Sequence, residues 1–259
     1  MIKRKQVFNT NNDKTKDIKW KSEFDAINKY IDNKYIYDVF YNYGFTIDNK
    51  FIKLDSNINV YEACFISLIT KLFLLKNKNK QNINLLEIGF AFGTSALIFM
   101  NQLKDYKYTK TYDIVDMNQS TQWNNIGIKN LKLFIDKYNI NINYNLYEKD
   151  STIILPKLKN QYDIIFVDGG HTYDIVKLDL YNSDKLLKIN GIIILDDVLH
   201  YGVKKALTEF LYKNKNYRKI KVVNKNEKLK LVFDNHIYDN TLMKRDFLNP
   251  NSMYAFIKL

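Results

Sequence analysis

Residues 85–97 read LLEIGFAFGTSAL. An apolar run ends in an acid and a glycine. A second glycine follows four residues later, just before Thr94, Ser95 and an apolar pattern with helical spacing. The stretch is a strand that turns sharply into a helix. Gly89 permits the turn, and Gly93 lets the helix begin close to a ligand. Thr94 and Ser95 place amide and hydroxyl donors at the helix N-terminus, which suits a carboxylate. The spacing Glu87-x-Gly89-x-x-x-Gly93 is not G-x-G-x-x-G, so a dinucleotide is the less favoured ligand.

Outward from this turn, strands and helices alternate. Strands are expected over residues 84–88, 111–115, 142–146, 162–167 and 191–195. Helices are expected over 94–103, 120–138, 151–158, 173–187 and 203–212. Five strand–helix units in a row imply a parallel sheet covered on both faces. The order then changes: RKIKVV (218–223) and KLKLVF (228–233) are separated only by NKNE. So short a turn joins antiparallel strands. A strongly apolar helix is expected over 59–76 before the first strand, and helical spacing of Phe24, Ile27, Tyr30 and Ile31 suggests another over 22–42. The chain therefore divides into a helical extension or lid (1–55), an α/β domain (56–235) and a C-terminal tail packing on it (236–259).

Composition bounds the function. A length of 259 residues accommodates one large α/β domain with a sizeable core. No apolar run approaches the roughly 20 residues of a membrane span, and the basic N-terminus has no apolar h-region. One cysteine, Cys64, excludes an internal disulfide framework and a thiolate zinc cluster, and a cytoplasmic location is expected. The net charge of +12 invites a nucleic-acid partner, but only Arg4, Arg218 and Arg245 are arginine. Phosphate and base recognition favours arginine, so a solvated lysine surface is the simpler reading.

Acids fall at the ends of several strands. Asp116 ends the second, with Asp113 a weaker candidate inside it; Asp150 follows the third, in YEKDSTIILPKL; Asp168 ends the fourth, in YDIIFVDGGHTYDIVKLDL; Asp196 and Asp197 end the fifth, in GIIILDDVLH. A carboxylate at the second strand's end can accept both ribose hydroxyls. Asp116 and Asp150 could equally cap helices. Asp168, Asp196 and Asp197 converge on one edge and repel unless a cation compensates; an all-oxygen set suits Mg²⁺, Ca²⁺ or Mn²⁺. His171 and His200 lie close to these acids in sequence, and either could be a structural histidine instead.

Parallel units followed by a hairpin, with Glu87-x-Gly89-x-x-x-Gly93-x-Ser95, resemble the class I S-adenosylmethionine-dependent methyltransferases, whose Rossmann-like sheet has seven strands. The resemblance covers about residues 56–235 and is strongest to metal-dependent small-molecule O-methyltransferases of the catechol, caffeoyl-CoA and macrolide-sugar kinds. It implies a cofactor site built from Glu62, Glu87, Gly89, Gly93, Thr94, Ser95, Asp116, Asp150, Ser151 and Asp168. It also implies a Mg²⁺ or other divalent-metal site at Asp168, Asp196 and Asp197, with Asp-Asp where the catechol type has Asp-Asn. His171 takes the offset of a general base and His200 that of a substrate contact. The expected reaction is methylation of a hydroxyl on a small polyhydroxylated molecule, such as a sugar or a catechol-like compound. An RNA ribose or other nucleic-acid methyltransferase and a non-catalytic subunit of the same fold are the alternatives. The Tyr- and Phe-rich segment 35–45 is expected to form a lid, a homodimer surface or an aromatic core stripe.

Overall fold

The computed structural model describes residues 27, 30, 44–47, 50–53, 58–107, 109–226, 228–235 and 248–259. The helix expected over 22–42 and the aromatic lid or dimer surface lie almost wholly outside these residues. Ile27 is buried, and the Tyr30 hydroxyl accepts from Leu229 N (3.0 Å). The extension is not helical throughout: β1 (Gly44–Ile47) and β2 (Lys50–Lys53) form an antiparallel pair. GFTI and KFIK flank Asp48-Asn49, a pairing of β-prone runs with turn-forming residues.

The main sheet contains β3 (Asn82–Ile88), β4 (Thr109–Val115), β5 (Ile142–Tyr147), β6 (Tyr162–Val167), β7 (Leu187–Leu195), β8 (Tyr217–Lys225), β9 (Lys228–Asp234) and β10 (Tyr254–Lys258). Their spatial order is β5-β4-β3-β6-β7-β10-β8-β9. β3 to β7 pair in parallel, and β8 and β9 form the expected antiparallel hairpin. The α/β class and the hairpin match the sequence reading, and the described sheet has one strand more than the expected seven. The C-terminal segment does more than pack on the domain as a tail. β10 lies between β7 and β8, antiparallel to both. Tyr254, Ala255, Phe256 and Ile257 are all buried, as an inserted strand flanked on both sides must be.

Helices cover both faces. α1 (Val60–Lys76), α2 (Thr94–Leu103) and α3 (Ile126–Tyr138) bury their apolar residues with Leu85, Ile164 and Phe166. α4 (Ser151–Ile154), α5 (Tyr173–Leu186) and α6 (Tyr201–Lys213) belong to the other face, where Val176, Leu180, Val203 and Leu207 pack with Leu86, Ile165 and Val167. Alternate strand residues thus feed opposite cores, and β6 is buried along its whole length. Asn59 starts α1 with a capping box: its side chain accepts from Tyr61 N and Glu62 N, and Glu62 accepts from Asn59 N. α3 begins later than expected, at Ile126, because Asn124 and Asn125 adopt left-handed backbone conformations.

Asp113 is an interior residue. It is fully buried and accepts from Tyr162, Asn145 and Asn160 side chains, so it ties β4 to β5 and to the start of β6.

Candidate active site

β3 leads outward to β4 and β5, and β6 leads the other way to β7. The C-terminal ends of β3 and β6 therefore flank the point where the strand order reverses, the place where open α/β sheets bind ligands. Gly89 sits at this point with φ +85°. A Cβ there would lie 2.0 Å from the Asp168 carbonyl oxygen, so the glycine loop and the acidic strand end touch through their backbones. Gly93 caps α2 in a left-handed conformation and gives no side-chain cap. The Thr94 hydroxyl beside it is buried without a hydrogen-bond partner among the described residues. Free amides and an orphaned hydroxyl at a helix N-terminus fit the carboxylate of an amino-acid-bearing ligand such as S-adenosylmethionine.

Other residues expected at the cofactor hold the loop itself. Glu87 is fully buried and accepts from the Ser95 and Tyr112 hydroxyls. Burial, reinforced by the charges of Asp168 and Asp116, pushes its carboxyl well above the ordinary range. Asp116 accepts from Phe90 N (2.9 Å), Ala91 N (2.8 Å) and Asn118 N (2.8 Å). Three of its roughly four acceptor positions are thereby used, and one remains open. These bonds hold Ala91 at φ +46°, an unusual conformation for a residue with a Cβ. Gln119, which sequence reasoning missed, is fully buried; its Nε2 donates to Ala91 O (2.7 Å), while its Oε1 has no partner among the described residues. Asp150 caps α4 by accepting from Thr152 N (2.8 Å) and Oγ1 (2.7 Å).

Asp179 was also missed, although it interrupts the apolar stripe of Val176, Leu180 and Leu186. It is fully buried on α5, near Gly169, and neither oxygen has a hydrogen bond of ordinary geometry within the described residues. Burial pushes its carboxyl up to about 6, with the Ser151 hydroxyl opposing the shift and Asp150 adding to it. The folded pKa lies above the ordinary 3.8, so stability present at acid pH is lost as pH rises through 6. Asp179→Asn is expected to stabilise the protein above pH 6 by at most about 3 kcal/mol and to be neutral below about pH 4. Thermal unfolding at pH 4 and pH 7.5 measures this, and equal shifts at both pH values would refute it.

At the ends of β6 and β7, carboxylates gather. Asp168 and Asp197 each face His171, whose Nε2 lies 3.7 Å from Asp168 Oδ1 and 3.2 Å from Asp197 Oδ2. One ligand atom from each of the three lies within 4.8 Å of the others. Asp196 lies beside this group. It is buried, and its Oδ1 accepts from Asp197 N (2.8 Å). Among the described residues, Asp168, His171 and Asp197 form a group whose ligand atoms could hold a metal, and the charge of Asp168 acts on Asp196 beside it. Asp197 itself has a left-handed backbone (φ +54°).

Glu62 belongs to this acidic edge as well. Its carboxylate accepts from Ser252, just before β10, and its charge acts on Asp196. Burial first, then Asp168 and Glu62, raise Asp196 well above the ordinary range; burial also raises Asp168 and Glu62, and Asp197 adds to both. Four carboxylates so placed favour a compensating cation. His171 supplies a partial one, since its contact with Asp168 raises its pKa against the cost of burial. Gly202 fixes the histidine's backbone. A Cβ there would come within 2.3 Å of His171 O, so the start of α6 is pressed against this loop. The His200 ring lies 5.6 Å from that of His171, and His200, Leu199 and Tyr201 are exposed at the rim.

Residues 86–198 match the model of a family described as "Methyltransferase domain". A comparison with curated proteins returns no match. Similar solved structures include precorrin-6y C5,15-methyltransferase from Geobacter metallireducens, 18% identical, with a TM-score of 0.47 over 73% of this chain and 87% of that one. The O-methyltransferase TomG from Streptomyces achromogenes, in complex with SAM, is 14% identical with a TM-score of 0.46 over 74% and 80%. The O-methyltransferase from Bacillus cereus, in complex with SAH, is 14% identical with a TM-score of 0.46 over 78% and 83%. The matched residues 86–198 run from the glycine loop to the acidic ends of β6 and β7, so the family likeness and the crevice coincide. No helix among the described residues is long and apolar enough to cross a membrane.

Proposed function

We propose that the protein transfers a methyl group from S-adenosylmethionine to a hydroxyl of a small polyhydroxylated molecule, such as a sugar or a catechol-like compound, with the help of a divalent cation. The observation that carries this reading is the backbone contact of Gly89 with Asp168, which joins the glycine loop to the acidic edge. Bound S-adenosylmethionine supplies an electrophilic methyl group, and a bound divalent cation supplies Lewis acidity that lowers the pKa of a hydroxyl.

The chain's own residues do the positioning. Thr94 and the free amides of α2 hold the carboxylate of the methionine portion. Glu87 and Asp116 fix the loop from below, and the remaining acceptor of Asp116 meets the ribose. Asp150 and Ser151 flank the adenine. Asp168 and Asp197 hold the cation and orient the acceptor oxygen toward the cofactor. Leu199, His200 and Tyr201 border the acceptor, as the substrate role of His200 requires. Orientation of this kind supplies much of a methyl transfer's acceleration.

Turnover is tested by S-adenosylhomocysteine release with a panel of catechols and glycosides. Release is expected to require both acceptor and divalent cation, and Asp168→Ala is expected to lower kcat by at least about 100-fold. Chelator-insensitive turnover, or full activity of Asp168→Ala, would contradict the metal-assisted reading.

A further inference from the structure

The expected ligand set and the described one disagree at a single position, and the disagreement has a chemical meaning. We infer that the cation site is a carboxylate–imidazole–carboxylate site formed by Asp168, His171 and Asp197, that His171 is a metal ligand rather than a free general base, and that the site prefers a first-row transition ion to Mg²⁺. The inference rests on the metal-assisted reading above and names the metal class for that same site.

The geometry of His171 is the first argument. A histidine paired to a carboxylate by a charge-assisted hydrogen bond sits at about 2.7–2.9 Å with an aligned N–H. His171 Nε2 instead lies between two carboxylate oxygens at 3.2 and 3.7 Å. That nitrogen is shielded from solvent although the side chain is 40% exposed, and besides these two ion-pair contacts it makes no hydrogen bond of ordinary geometry within the described residues. Ligand atoms about 2.1 Å from a shared ion lie about 3.0–3.4 Å apart in octahedral or tetrahedral arrangements. The contact with Asp197 falls within this spacing, and the contact with Asp168 exceeds it by 0.3 Å.

The second argument is the position of Asp196. Its Oδ1 accepts from Asp197 N, and the residue is buried below the edge. The charge of Asp168 acts on it, while the third donor in the cluster is the His171 nitrogen. Imidazole suits zinc, iron, nickel and copper, whereas Mg²⁺ demands an oxygen octahedron. Two carboxylates and one imidazole are three ligands, which leaves positions open for an acceptor's oxygens. The loop is held rigidly for this task, because Gly202 lets α6 abut His171 O and Gly89 seats the Asp168 backbone.

The test uses the full chain after chelator dialysis. Mn²⁺ and Mg²⁺ are titrated by calorimetry, and the Mn²⁺-loaded protein is examined by pulsed electron paramagnetic resonance for nitrogen hyperfine coupling. One Mn²⁺ is expected, bound at least about tenfold more tightly than Mg²⁺, with the coupling of one imidazole nitrogen. His171→Ala is expected to remove the coupling and weaken Mn²⁺ by at least about tenfold, while Asp196→Asn keeps the coupling. Absence of nitrogen coupling in the unmutated protein overturns the inference without recourse to any variant. So does equal affinity for Mg²⁺ and Mn²⁺, or coupling that survives in His171→Ala. S-adenosylmethionine binding measured on the same sample separates the two claims. Its loss would defeat the methyltransferase reading, and its presence without nitrogen coupling would defeat only the ligand assignment.

Discussion

Gly89→Ala is expected to abolish measurable S-adenosylmethionine binding and to destabilise the protein by about 2–4 kcal/mol. Two effects combine. The backbone at Gly89 has φ +85°, which an alanine adopts only at a cost. The added Cβ would also lie 2.0 Å from Asp168 O and 2.5 Å from Asp168 C, well inside van der Waals contact. Neither neighbour is a flexible side chain that can swing away. The ends of β3 and β6 must separate, and this moves the loop over the crevice together with the carboxylate of Asp168. The expected signature is coupled: a lower unfolding temperature, no calorimetric signal with cofactor, and weaker cation binding in the same variant. A variant that keeps wild-type cofactor affinity would show that the loop does not line the binding site.

Asp116→Ala should produce the next largest effect, a loss of about 3–5 kcal/mol in stability together with cofactor binding. The carboxylate receives three backbone amides, two from the glycine loop and one from Asn118. Removing it leaves these donors unpaired in a region where Asp116 itself is buried. It also frees Ala91 from the left-handed conformation that the bond to its amide sustains. Asp116→Asn keeps one acceptor oxygen and should fall between the wild type and the alanine variant. Chemical denaturation measures the order. If Asp116→Ala is as stable as the wild type but binds cofactor weakly, the residue serves the ligand alone and the loop is held by other means.

Much of the sheet was legible because buried parallel strands are short apolar runs, and five of them stand between helical patterns. The hairpin was legible from the four residues joining its strands. β10 was harder to place. Its YAFIK run lies beyond β9 by a stretch longer than a hairpin turn, and an isolated apolar run does not reveal which neighbours it joins. At the site, sequence position located Asp116 and Asp150, but not their partners. Which amides point at a carboxylate depends on loop conformation, and here the loop turns its own N–H groups onto Asp116 while α4 turns Thr152 onto Asp150. Glu62 was assigned to the cofactor from its place on the helix before β3, and its contacts with Ser252 and Asp196 were not legible in the letters. The expected Asp196–Asp197 pair assumed that both side chains face one ion. The contact of Asp197 with His171 and the left-handed backbone of Asp197 are not visible in the letters alone. Asp179 could have been found, since a lone acid on an apolar helical face is conspicuous in the sequence.

The central claim is that the crevice between β3 and β6 binds S-adenosylmethionine. Calorimetric titration of the full chain with S-adenosylmethionine tests it most directly, with Gly89→Ala run in parallel. One saturable site in the wild type, abolished in Gly89→Ala, is the predicted result. No binding heat at any temperature examined, or binding of equal strength in the two proteins, would contradict the account.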